Sequence, residues 1–329
     1  MKTQTYSILQ NKFWQAYWIT MRPYLLFVSG VAGMVGFVDG PELPWLSIAG
    51  IFFAFFLSYG FGQALTDCFQ IDTDSISSPY RPLVQGIITR KQVLTVSFLG
   101  LLGCCFILYR MNYLTLWLGL LSVYGLATYT YYKRRWWSGP FYNAWIVAVL
   151  PIIGKWAALG PETGFNQIFR NGLIIPIIIS VFFSYANFVL MGYFKDISAD
   201  RASGYNTFVV KFGWNNAAIG SDLFAAVSIA ATGWAMVKGL FNIPVFAPEF
   251  GAALIFGAGV IVLVAAQTGI HKINDEKLAH KPITNVVRGF LMLHLSVIQL
   301  LRPAWWVGII LFYVLFEITL KFRPEKGQV

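Results

Sequence analysis

The sequence predicts an all-α polytopic membrane protein with nine or ten transmembrane helices, and three observations support this fold class. Only 12% of the 329 residues are charged and 57% are hydrophobic, whereas an average soluble domain carries about 25% charged residues. Apolar runs long enough to cross a membrane recur along the chain, and the basic residues concentrate on alternate loops. Together these observations exclude a disordered chain, a nucleic-acid-binding domain and an ordinary cytosolic enzyme.

Ten mostly apolar segments fall in the length range of a membrane-spanning helix, roughly 20 residues. In chain order they are 18–38, 45–66, 92–109, 113–132, 140–159, 168–194, 216–238, 248–268, 284–300 and 303–320. Only Arg302-Pro303 separates the last two segments, so they are two spans, one broken helix, or one span and an interfacial helix. No linker rich in glycine, serine or proline interrupts the chain, and we expect a single domain over residues 1–329.

The orientation in the membrane follows from the basic residues. Eighteen of the 24 lysines and arginines fall on one set of alternate loops and four on the other. Because cytoplasmic loops carry an excess of Lys and Arg, this split predicts an integral membrane protein with both termini in the cytoplasm. It also accounts for the formal net charge of +10 without a nucleic-acid partner, and membrane lipids are the expected surroundings.

Two of the predicted cytoplasmic loops hold five of the 14 acidic residues. The loop after the second segment carries Asp67, Asp72 and Asp74, and the loop after the sixth carries Asp196 and Asp200. At about 100° per residue, Asp196 and Asp200 share one helical face, one turn apart. Asp67 and Asp74 also share a face if their helix continues that far, whereas Asp72 points elsewhere.

Basic residues accompany these carboxylates. Arg81, Lys195 and Arg201 lie in the same two loops, and Lys133 and Arg134 follow the fourth segment. Mg²⁺ prefers carboxylate oxygens combined with phosphate oxygens and water, and Arg and Lys donate charge-assisted hydrogen bonds to phosphate. The loops therefore predict a site that binds Mg²⁺ and pyrophosphate and stabilises pyrophosphate as a leaving group. The alternative for any single aspartate is a helix cap or a solvated loop charge.

The second acidic loop resembles a motif of the UbiA superfamily of intramembrane prenyltransferases. That motif has the form D-x-x-x-D-x-x-x-G-x-x-T and ends in a glycine, and it matches fully at Asp196, Asp200, Gly204, Thr207 and Gly213. A Tyr-x-x-x-Lys-Arg pattern of the family also matches, over residues 129–134.

The first acidic loop resembles the other aspartate motif of the superfamily, N-D-x-x-D-x-x-x-D with R-P about seven residues later. It matches at Asp67, Asp74 and Arg81-Pro82. It departs from the motif at Thr66, where the family has asparagine, and at Gln70, where the family has the middle aspartate. Asp72 is an extra carboxylate that would replace the missing one.

The resemblance implies helices around a central cavity, with both aspartate motifs near its cytoplasmic mouth. It also implies Mg²⁺-dependent ionisation of a prenyl diphosphate and transfer of the prenyl group to a lipophilic, commonly aromatic, acceptor. The implied metal ligands are Asp67, Asp72, Asp74, Asp196 and Asp200. The implied diphosphate ligands are Arg81, Tyr129, Lys133, Arg134, Lys195 and Arg201. The implied catalytic residues are Asp67, Asp74, Asp196, Asp200 and Lys133.

Two other functions remain compatible with the sequence. A membrane terpene cyclase of the same superfamily would use the same ionisation without an acceptor. A transporter of an anionic substrate is less favoured, because the carboxylates lie at one face of the membrane and not near its midplane. Among ionisable residues inside the predicted spans, Lys155 could reach the cavity or pair with a neighbouring helix. Tyr185 and Asn187 could line the cavity or join helices by hydrogen bonds.

Overall fold

The computed structural model describes residues 5–240 and 249–325. These residues form fourteen α-helices and no β-strand. The helices are α1 (Asn11–Met21), α2 (Leu26–Phe37), α3 (Trp45–Asp67), α4 (Ile71–Ser77), α5 (Arg90–Tyr109), α6 (Leu114–Arg135), α7 (Gly139–Ala148), α8 (Leu150–Leu159), α9 (Ile174–Tyr193), α10 (Ile197–Ala202), α11 (Phe208–Leu240), α12 (Glu249–His271), α13 (His280–Leu301) and α14 (Trp306–Lys321). Short 3-10 turns lie at Pro23–Leu25, Phe165–Phe169, Glu276–Leu278 and Pro303–Trp305.

The all-helical membrane fold predicted from the sequence is confirmed. Within the described ranges, eight helical segments are long and apolar enough to cross a membrane, and the bent pair α1–α2 adds a ninth. The fourth predicted span corresponds to α6, which is 22 residues long but is not among these nine, because threonine and tyrosine interrupt its apolar sequence. The turn at Pro303–Trp305 separates α13 from α14, and each of the two qualifies as a span. The predicted segment 248–268 begins one residue before the described part of the chain resumes.

The first predicted span is not one straight helix. The chain bends by 48° between α1 and α2, and Arg22 at the bend has left-handed backbone angles, with φ 53°. Pro23 explains the break, because proline lacks an N–H donor and disfavours helical angles in the residue before it. The bend directs the Arg22 side chain toward the end of α3, where its Nη2 lies 2.9 Å from the carboxylate of Asp67.

The core of the helix assembly is formed by α2, α9 and α13. Every residue of α2 is buried, whereas α14 and α12 present large apolar side chains outward, among them Leu254, Ile261 and Leu311. Exposed apolar surface of this extent is typical of contact with lipid. Helices α2 and α8 approach backbone to backbone, since a Cβ on Gly36 would lie 2.0 Å from the carbonyl oxygen of Pro151. Small residues allow such close helix packing in membranes.

The two acidic segments are built alike and meet at one end of the assembly. In each, a long membrane helix ends near an aspartate and a short helix follows: α4 after α3, and α10 after α9. The short helices α4 and α10 pack against each other, and the C-terminal turn of α6 lies beside them, with Lys133 3.6 Å from Asp200. Loops separated by four membrane crossings therefore form one site.

Candidate active site

A cavity opens at the end of the molecule where α4 and α10 meet. Its empty volume, including the open mouth, is about 1390 Å³. Eight charged side chains line the mouth: Asp67, Asp74, Asp196, Asp200, Arg22, Arg81, Lys133 and Lys195. Apolar side chains from α5, α6, α7 and α8 line the interior, among them Leu101, Leu108, Leu126, Ile146 and Leu150. The cavity thus combines a charged mouth with an apolar interior, which suits a ligand with a charged head and an apolar tail.

Both cavity-lining aspartates of the first acidic segment are held by guanidinium groups. Asp67 is 2% exposed and accepts two hydrogen bonds from Arg22 Nη2, at 2.9 and 3.2 Å, and one from Gln63 Nε2 at 2.8 Å. Asp74, on α4, forms an ion pair with Arg81, whose Nη1 also lies 3.7 Å from Asp67. These two carboxylates and two arginines form one connected network.

The aspartates of the second acidic segment are less completely paired. Asp196 immediately precedes α10, and its carboxylate lies 3.2 Å from Lys195 Nζ. Asp200 lies one helical turn after Asp196, and its backbone N–H donates a hydrogen bond to the backbone carbonyl of Asp196. Asp200 is fully buried, and neither of its carboxylate oxygens has a well-formed hydrogen bond within the described residues. Its nearest cation, Lys133 Nζ, is 3.6 Å away, and the equally unsatisfied hydroxyl of Thr207 faces it.

The pKa shifts reflect this difference. Burial raises the pKa of Asp200 to about 6, against the attraction of Lys133. Burial also raises the pKa of Asp74 despite its pairing with Arg81. For Asp196 burial acts in the same direction, but Lys195, Lys133 and Arg81 together hold its pKa below the usual value. The mouth therefore contains four carboxylates and four cations. Among the carboxylates, Asp200 has the weakest compensation of its negative charge.

Four tyrosines line the cavity and form two hydroxyl–hydroxyl pairs. The hydroxyls of Tyr59 and Tyr185 lie 3.1 Å apart, and those of Tyr129 and Tyr193 lie 2.8 Å apart. All four residues line the cavity, and Lys133 Nζ is 5.1 Å from the ring centre of Tyr193. Sequence reasoning singled out Tyr129 and Tyr185 but missed Tyr59 and Tyr193, because no motif distinguishes them from other tyrosines in an aromatic-rich chain.

Three residues of the predicted site do not line the cavity: Asp72, Arg134 and Arg201. The side chain of Asp72 is 44% exposed and pairs with Arg134 at 2.5 Å, and Arg201 is exposed on α10. Residues two apart on a helix point in different directions, so Asp72 faces away from the cavity when Asp74 faces into it. Gln70 lines the cavity instead, donating to Thr130 at 3.2 Å and accepting from Lys133 at 3.3 Å.

Charged and polar residues inside the spans separate into two groups. Lys155 does not line the cavity, because it pairs with Asp39 at 2.5 Å and donates to Asn171 at 3.0 Å. Asn187 bonds to Ser221 between α9 and α11 at 2.5 Å. Tyr185 does line the cavity. No group of three or more His, Cys, Asp or Glu side chains converges on one point in residues 5–240 and 249–325.

Comparison with known proteins places this geometry in a family. The model of the UbiA prenyltransferase family matches residues 26–282. The chain is 24% identical over 270 residues to the digeranylgeranylglyceryl phosphate synthase of Pyrococcus furiosus, covering 79% of this chain and 88% of the relative.

Solved structures of other proteins share the fold. A UbiA homologue from Aeropyrum pernix superposes with a TM-score of 0.65 at 15% identity, over 84% of this chain and 96% of the homologue. A UbiA homologue from Archaeoglobus fulgidus, solved bound to GPP and Mg²⁺, superposes with a TM-score of 0.61 at 17% identity, over 86% and 99% of the two chains. The match over most of the chain shows that this protein belongs to the UbiA prenyltransferase family and is a membrane-embedded prenyltransferase.

Proposed function

We propose that this enzyme ionises a prenyl diphosphate in a Mg²⁺-dependent reaction and transfers the prenyl group to a lipophilic acceptor. The observation that supports this function best is the cavity itself, in which four aspartates and four cations surround the mouth of an apolar interior. The diphosphate would lie at the mouth and the prenyl tail inside. Membership of an enzyme family removes the transporter alternative.

Four cations would bind the diphosphate. Arg22, Arg81, Lys133 and Lys195 all line the mouth, and each can donate charge-assisted hydrogen bonds to phosphate oxygens. Because these side chains are preorganised in a largely buried site, they stabilise the negative charge that develops as the carbon–oxygen bond breaks. Arg22 belongs to this group only because the chain bends before Pro23.

The residues of the second acidic segment fit a Mg²⁺ ion. Both oxygens of Asp200 are buried and make no well-formed hydrogen bond with residues 5–240 or 249–325, a state that is unfavourable unless a ligand completes it. Asp196 lies one helical turn away, and carboxylate oxygens together with phosphate oxygens are the donors that Mg²⁺ prefers. A Mg²⁺ ion held there would neutralise charge on the departing pyrophosphate.

The interior of the cavity protects the allylic cation that ionisation leaves behind. Its apolar walls exclude water, which would otherwise capture the cation. Tyr59, Tyr129, Tyr185 and Tyr193 line the cavity, and aromatic rings there would stabilise positive charge by cation–π contact. The acceptor would then form a bond to the allylic carbon, replacing the broken carbon–oxygen bond, and its proton would pass to the pyrophosphate that has left.

The chemical class of the acceptor is the finer part of this proposal. The resemblance noted in the sequence favours an aromatic ring, whereas the Pyrococcus relative is named for a product built on glyceryl phosphate. A membrane-embedded cavity suits either an aromatic ring or a glyceryl phosphate that already carries a prenyl chain, since both would be lipophilic and would enter from the bilayer. We further propose that the cavity mouth faces the cytoplasm, as the distribution of Lys and Arg predicts.

Purified enzyme in detergent or nanodiscs tests the reaction. It is incubated with Mg²⁺ and prenyl diphosphates of five to twenty carbons, without acceptor, with an aromatic acceptor, or with a prenylated glyceryl phosphate. Pyrophosphate release that requires an acceptor supports transfer. Release of pyrophosphate with a cyclised hydrocarbon and no acceptor supports the cyclase alternative instead.

Two variants complete the experiment. Asp200→Asn is expected to lower turnover strongly, and Glu162→Gln, which changes an exposed acid outside the cavity, is the matched control. If no diphosphate is cleaved under any condition, or if Asp200→Asn matches the wild type, the proposed function is wrong.

A further inference from the structure

We propose that the two acidic segments of this chain have different tasks: Asp196 and Asp200 alone bind the divalent cation, one per chain, and Asp67 and Asp74 position Arg22 and Arg81 against the diphosphate. This inference rests on the proposed function. It assigns to Asp67 and Asp74 a role other than the metal ligation that the sequence resemblance implies.

The carboxylates of the first acidic segment are already occupied. Asp67 accepts three hydrogen bonds, two from Arg22 and one from Gln63, and Arg81 lies 3.7 Å from it. Asp74 is paired with Arg81. A metal ion at this position would have to separate carboxylates from guanidinium groups that are themselves buried, and breaking a buried ion pair is strongly unfavourable.

On this side an amide replaces the middle carboxylate of the family motif. Gln70 occupies the cavity-facing position where the family motif has an aspartate, and its amide is engaged by Thr130 and Lys133. Asp72 does not replace it, because its side chain points outward and pairs with Arg134. The first segment therefore presents two carboxylates to the cavity, and both are neutralised by arginine.

The arginines retain donors for a ligand. The Nε atoms of Arg22 and Arg81 are buried and have no hydrogen-bond partner within the described residues, and both side chains line the cavity. A guanidinium group has five N–H donors in a fixed planar arrangement. Each arginine can therefore remain bonded to its aspartate and still donate to a phosphate oxygen.

The second acidic segment shows the opposite arrangement. Asp200 is fully buried, and neither of its carboxylate oxygens has a well-formed hydrogen bond among the residues that the structure describes. Asp196 forms an ion pair with Lys195, a flexible point charge that can turn toward phosphate without moving the backbone. Mg²⁺ commonly binds through one or two carboxylates plus the phosphates of a substrate. A pair of aspartates and one diphosphate thus suffice for a single ion.

The experiment measures Mn²⁺ binding to the full-length protein in nanodiscs, in the presence of pyrophosphate, by electron paramagnetic resonance. The wild type is expected to bind one Mn²⁺ per chain. Asp196→Asn and Asp200→Asn should weaken Mn²⁺ binding at least tenfold. Asp67→Asn and Asp74→Asn should still bind one Mn²⁺ but bind pyrophosphate at least tenfold more weakly without metal. Glu162→Gln, a change of the same type at an exposed site, should match the wild type in both measurements.

A gain-of-function variant keeps the test independent of folding losses in the aspartate variants. Gln70→Asp restores the missing carboxylate and should bind a second Mn²⁺ per chain. Two Mn²⁺ ions on the wild type, or loss of Mn²⁺ binding in a folded Asp67→Asn variant, would overturn the inference. An enzyme that cleaves prenyl diphosphates while binding two ions contradicts only this inference, whereas an enzyme that cleaves none contradicts the proposed function.

Discussion

Two buried lysine–aspartate pairs, one at the cavity mouth and one that does not line the cavity, differ in how completely their hydrogen bonds are formed. Lys155 and Asp39 lie 2.5 Å apart, and Asn171 bonds to both of them. Lys133 and Asp200 are 3.6 Å apart, and the Asp200 oxygens have no well-formed hydrogen bond within the described residues. Buried polar groups are normally satisfied within the protein. The first pair therefore serves the fold, and the second retains unsatisfied capacity that a ligand completes.

Replacement of Lys133 gives the largest expected effect. Lys133→Met should lower turnover about 10²–10³-fold, the usual loss when one preorganised charge is removed from a developing anion. Steady-state pyrophosphate release measures the effect, with the exposed Lys91→Met as the matched control. If Lys133→Met retains turnover within threefold of the wild type, the Lys133–Asp200 pair has no functional role that distinguishes it from the Lys155–Asp39 pair.

Replacement of Lys155 should instead affect stability. Removing one partner of a buried ion pair typically costs about 3–5 kcal/mol, so Lys155→Met should lower the unfolding free energy by this order. Turnover per folded molecule should stay near the wild-type value. Unfolding in mixed detergent measures the loss, and Lys155→Met combined with Asp39→Asn should recover part of it. A stable but inactive single variant would contradict the structural role.

The pH dependence of the metal-free protein sharpens the comparison at Asp200. Its pKa is raised to about 6 in the folded protein, so the folded state binds this proton more tightly than the unfolded state. The associated stability is present at low pH and is lost as the pH rises through about 6. In EDTA, the unfolding temperature should therefore fall between pH 5 and pH 7. Asp200→Asn should remove this contribution, and an unchanged profile in that variant would contradict it.

The smallest effect is expected at Asp72, the exposed member of the first acidic segment. Its ion pair with Arg134 is largely open to solvent, and such pairs contribute about 0–1 kcal/mol. Asp72→Asn should therefore lower turnover only a few-fold, whereas Asp74→Asn should lower it much further. Equal losses in the two variants would show that Asp72 acts in the site as the sequence resemblance implies.

Much of the site's location was predictable from the sequence. The spacing of Asp196 and Asp200 indicated one helical face, and the structure places both at the cavity mouth. Other site residues could not be assigned to the cavity from the spacing of motifs in the sequence. Tyr59 and Tyr193 resemble many other tyrosines in the chain, and the cavity position of Arg22 depends on the bend before Pro23. Contacts between distant segments depend on helix packing, which periodicity does not encode.

The sequence by itself determined the membrane fold, the order of the spans and the grouping of the acidic segments at one end. These follow from composition and from local spacing, because the bilayer requires long apolar helices with their charges at the ends. Only the tertiary structure decided that Gln70 faces the cavity and Asp72 does not. It also decided that Lys155 pairs with Asp39. The rotation of each helix and the partner of each buried charge result from packing among all the helices together.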